Sequence, residues 1–61
     1  MDVEEENKYR KLAKEMIDTA FALDKIGYKA RTLGIDYKAK EYFEAAISLR
    51  NSANLLEYAL S

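Results

Sequence analysis

Apolar and small positions along the chain fall into two unbroken series. The first is Tyr9, Ala13, Met16, Ala20, Leu23, Gly27, Ala30 and Gly34; the second is Ile35, Ala39, Tyr42, Ala46, Leu49, Ala53, Leu56 and Leu60. In both, steps of four and three residues alternate, which is the spacing of a helix–helix seam. The first series predicts a helix over about residues 4–33, and the second predicts one over about residues 36–60. Between them, Gly34 suits the left-handed position that ends a helix, and Ile35 can supply the apolar contact that follows such an end. Asp36 reads as the N-cap of the second helix. So short a connection makes the two helices antiparallel neighbours. At the start, Asp2 predicts an N-cap, with Glu4, Glu5 and Glu6 in the first turn, at the positive end of the helix dipole. Residues 1–3 are expected to fray.

Small residues recur every seven positions, as Ala13, Ala20 and Gly27 on one helix and Ala39, Ala46 and Ala53 on the other. Such residues let two helices approach at the short end of the roughly 8–10 Å range. Gly27 costs about 1 kcal/mol in a helix interior relative to Ala. Close packing is the expected offset, and a kink is the alternative. Leu12, Ile26 and Leu33 widen the first stripe on one side and Ile17 widens it on the other, which suits a bundle better than a narrow zipper. The predicted fold is all-α: an antiparallel two-helix hairpin with an Ala/Gly seam, one domain over residues 1–61, pairing into a four-helix bundle.

Residues 20–53 resemble a single tetratricopeptide repeat over that family's roughly 34-residue period. Leu23 and Ile26 precede Gly27, which stands at the small site of the repeat's first helix. Gly34 stands at its inter-helix turn. Ala39, Phe43 and Ala46 give the small–aromatic–small order of its second helix, and apolar Leu49 follows. Leu23 and Ala30 depart from the repeat, where aromatics are usual. Tyr37 falls one place late, and Asn51 stands where the closing proline belongs. The resemblance implies a helical hairpin and protein binding through helix packing, although one repeat alone makes no superhelical groove. Ala20, Asp24, Gly27, Tyr28 and Ala30 also look like the first turn-region pattern of the microtubule-interacting-and-transport domain.

Length sharpens the picture. A 61-residue chain has a marginal core, and folds of this size usually need disulfides, a metal, a partner or very good helix packing. There is no Cys and no His, which removes disulfides, thiolate sites, the commonest general base and the commonest neutral metal ligand. Ser48, Ser52 and Ser61 have no base at a recognisable spacing. The carboxylate pairs Glu15 with Asp18 and Glu41 with Glu44 lack the histidine of a di-metal bundle site, so solvated helix surface accounts for them. No enzyme activity, metal or cofactor is expected. No apolar run is long enough for a membrane span, and the absence of Cys fits a cytoplasmic chain, whether complete or the start of a longer one.

Several large apolar residues lie off the seam. At 100° per residue, Phe21 and Tyr28 share a stripe well away from the seam of the first helix, and Ile47 lies similarly on the second. Leu55, Tyr37 and Tyr58 are also off-seam. The candidate protein interface is Phe21, Tyr28, Ile47, Leu55 and Tyr58. Self-pairing into a homodimer is the first expectation, and another helical protein the second. Ten basic and 11 acidic residues give a net charge of −1, which is no footprint for a general polyanion binder. Lys25, Lys29, Arg31, Lys38 and Lys40 nevertheless cluster around the turn. They are the candidate contacts for the runner-up role, a small dimeric RNA- or DNA-binding regulator. Dipole compensation by Lys29 and Arg31 explains part of that cluster without any ligand.

Overall fold

The computed structural model describes residues 2–61. Helix α1 spans Val3–Thr32 and helix α2 spans Asp36–Leu60. Tyr28 lies across from Phe43, and Arg10 across from Leu60, so the two helices run antiparallel. Among the described residues there is no strand.

Each helix end has a chemical cause. The Asp2 carboxylate accepts from the Glu5 backbone N–H at 2.9 Å, which satisfies one of the free donors at the start of α1. Val3 is already helical, so the expected fraying of residues 1–3 does not extend to it; Met1 lies outside the described residues. Gly34 has φ of 78°. Around it the Ile35 N–H donates to the Ala30 carbonyl and the Gly34 N–H to the Arg31 carbonyl, both at 2.9 Å. This pair of bonds is a Schellman closure. It also corrects the reading of Asp36 as an N-cap. Ile35 is held in the half-in position, its carbonyl accepts from the Ala39 N–H, and α2 begins at Asp36 with no side-chain cap. Asp36 is instead the first helical residue, where its charge still meets the positive end of the dipole. At the far end, α2 has no basic residue in its last turn. Arg10 of α1 serves there, donating to the Leu60 carbonyl at 3.0 Å.

The seam packs as its spacing predicts. Ala13, Ala20, Gly27 and Ala30 are buried on α1, and Ala39, Ala46, Ala53 and Leu60 on α2. Tyr9, Met16, Leu23, Tyr42, Leu49 and Leu56 are half-buried beside them. Of the residues expected to widen the seam, Ile17 is half-buried, whereas Leu12 and Ile26 each remain 45% exposed, and Leu33 67%. Among the described residues no large side chain is fully buried.

α1 passes through Gly27 without interruption. What approaches there is the Phe43 ring. A Cβ placed on Gly27 would stand 2.6 Å from Phe43 Cε1 and 2.9 Å from Cδ1 and Cζ. The glycine therefore makes room for a ring to lie against the α1 backbone.

The hairpin is a rod of 48 × 14 × 10 Å with a radius of gyration of 14.3 Å, against about 10.5 Å for a compact chain of this length. Its accessible surface is 4793 Å². A folded chain of this mass is expected to expose about 4,000 Å².

Candidate interaction surface

The two flanks of the seam differ in chemistry. One flank is aromatic and charged. The Tyr28 and Phe43 rings meet edge to face, with centroids 5.1 Å apart and planes at 66°. The Arg31 guanidinium lies 4.9 Å from the Phe43 centroid and 5.8 Å from that of Tyr28. Further along, the Arg50 guanidinium lies 5.4 Å from the Phe21 centroid and is ion-paired with Asp24. Each of these stacks brings a cation to the negative face of a ring, which contributes about 0.5–1 kcal/mol at exposed sites. The cross-helix Arg50–Asp24 pair is partly buried and links the two helices on this flank.

Of the five predicted interface residues, Phe21, Tyr28 and Ile47 belong to this flank. All five remain exposed. Ile47 borders an open groove shared with Arg31, Asp36, Lys40, Phe43 and Glu44. At 100° per residue, Tyr58 points within about 20° of Ile47 but lies three turns away, and Leu55 points about 120° away from Phe43. The sequence set is therefore not a single patch. Phe43, Arg31 and Arg50 complete its aromatic part. Of these, only Phe43 had a signal in the sequence, through the tetratricopeptide-like spacing. The two arginines stack on rings across or along the hairpin, and those contacts depend on how the helices cross.

The basic residues of the turn are also dispersed. Arg31 is engaged with the two rings. Lys40 shares its groove with the carboxylates of Asp36 and Glu44. Lys38 points about 140° away from Phe43, toward the opposite flank, while Lys25 and Lys29 lie on the outer side of α1. All five are exposed.

The opposite flank is apolar in its middle and charged at its margins: Lys8, Lys11 and Glu15 line the groove around Leu12, and Lys38 stands seven residues before Ala45. Leu12, Thr19 and Ile26 follow one another at seven-residue intervals on α1, and Ala45, Ser52 and Ala59 do so on α2. Half-buried Leu23, Leu49 and Leu56 lie between these stripes and the seam. Within these bounds no charged side chain falls on either stripe, although Glu5 and Lys38 stand at the next seven-residue steps before them. Sequence spacing placed Leu12 and Ile26 as a widening of the seam stripe, of the kind that suits a bundle. The signal that could have separated them is their angle from the seam centre, about 60° for Leu12 and about 100° for Ile26.

Among the described residues, no group of three or more acidic side chains converges where a metal could bind, and no helix is long and apolar enough to cross a membrane. No family model, curated protein or solved structure matches this chain.

Proposed function

We propose that the chain is a non-catalytic assembly module that acts by helix packing, and that it pairs with its own copy into a four-helix bundle. The observation that carries this reading is the uncovered surface. The hairpin buries Ala, Gly and one Leu, and exposes 4793 Å², about 750 Å² more than a compact chain of its mass. Each partner of a standard protein interface contributes about 800 Å². A second copy would therefore supply the burial that the hairpin lacks. The tetratricopeptide-like placing of Gly27, Ala39, Phe43 and Ala46 supports the same class of role, because such repeats work by packing helix against helix.

Sizing-column light scattering tests the pairing, and titration with mixed-sequence RNA and duplex DNA tests the class. The expected result is a dimer that binds neither nucleic acid at physiological salt. Tight binding that weakens steeply with salt, and is lost in the Lys29→Glu/Lys38→Glu double variant, would replace this function with the nucleic-acid role.

A further inference from the structure

We infer that the second copy packs on the flank of Leu12 and Ile26, in antiparallel orientation, and leaves the arginine-capped aromatic flank facing outward. This rests on the self-association reading and specifies its geometry.

Charge selects the flank. Pairing through Phe21 and Tyr28 would bury the Asp24–Arg50 pair and the Arg31 guanidinium. Removing such groups from water is costly, and the cores of protein interfaces are depleted in charge. The middle of the other flank holds no ion pair, and its charged residues, Lys8, Glu15 and Lys38, lie exposed at its margins, where long side chains can keep their heads in solvent. Leu12 and Ile26, each 45% exposed, are the large side chains that it would cover. The one hydroxyl at the middle of its α1 stripe is already satisfied, since Thr19 donates to the Glu15 carbonyl at 2.9 Å. It can enter a dry interface without an unmet donor.

Register and charge select the orientation. Because Tyr28 faces Phe43 and Arg10 faces Leu60, Thr19 stands about level with Ser52. Leu12 and Ile26 flank Thr19 at equal distances, and Ala45 and Ala59 flank Ser52 in the same way. A two-fold axis at this level sets Leu12 against the partner's Ile26, and Ala45 against the partner's Ala59. Large then meets large and small meets small. The same axis places the acidic end, Asp2 to Glu6, beside the basic turn of the other copy. Parallel pairing would set turn against turn, with Lys25, Lys29, Lys38 and Lys40 of both copies at one end.

The test uses the unmodified chain. Isotope-filtered NOE spectroscopy on a mixture of labelled and unlabelled protein reads only contacts between copies. We expect contacts from Leu12 to Ile26 and none between the rings of Phe21 and Tyr28. A dimer with ring-to-ring contacts between copies, or with the Leu12-to-Ala59 contacts of a parallel pair, would overturn the geometry while keeping self-association. A chain that is monomeric throughout would overturn both. In parallel, Ile26→Asp should raise the concentration needed for dimerisation about tenfold or more, because it places a charge in the interface. Phe21→Asp should raise it by less than about threefold, since its ring stays in solvent. The reverse order would contradict the assignment.

Discussion

At the scale of single residues, one added methyl group sets two effects against each other. Ala favours a helix interior over Gly by about 1 kcal/mol. At Gly27, however, the new Cβ would stand 2.6 Å from the Phe43 ring, closer than carbon atoms approach without strain. The ring would have to move, and it would then lose the edge of Tyr28 and the Arg31 stack. Gly27→Ala should therefore destabilise the fold by about 1–2 kcal/mol. In a Phe43→Ala background the same change should stabilise it by about 1 kcal/mol. Urea unfolding at one fixed protomer concentration measures both; a gain from Gly27→Ala with Phe43 present would refute the close contact. The need for a small residue at position 27 was legible from the seven-residue repeat of Ala and Gly. The atom that fills the space was not, because the seam pattern pairs position 27 with α2 as a whole and does not specify a ring.

At the scale of elements, the turn carries most of the local specification. Gly34 is left-handed, and nothing lies within 4 Å of where its Cβ would be. Substitution there costs backbone strain without a clash. Gly34→Ala should lose about 1–2 kcal/mol, and Gly34→Asn distinctly less, because Asn tolerates this conformation. Equal losses for Ala and Asn in thermal unfolding would point to a cause other than φ. Asp2→Ala should cost about 1 kcal/mol through the lost bond to the Glu5 N–H. Both helices, their order, the Gly34 stop and the Asp2 cap could be read from the sequence, since each is a local signal. The bounds of α2 were also legible, but its N-cap was displaced by one residue. Asp is a favoured cap, but here the Schellman closure fixes Ile35 first and leaves Asp36 inside the helix. The tie from Arg10 to the Leu60 carbonyl was not legible. It joins residues fifty positions apart and depends on the final register of the hairpin.

At the scale of the whole molecule, two long helices meet along a line of alanines and leave both flanks of the rod open. A core of this kind gives close approach but little apolar area, so larger side chains stay half-buried or exposed. Leu12 and Ile26 show why this was hard to read from spacing alone. They lie near enough to the seam to look like core, yet two helices cannot enclose them; a third and fourth helix could. The aromatic flank, by contrast, has its rings partly covered by Arg31 and Arg50 of the same chain. It is thereby the more tolerant of water. The most direct test of self-association is solution mass by light scattering across a concentration series. Self-association predicts a species of twice the 7.0 kDa chain mass that dissociates only on dilution. A mass of 7.0 kDa at every concentration, with the helices intact by circular dichroism, would contradict it.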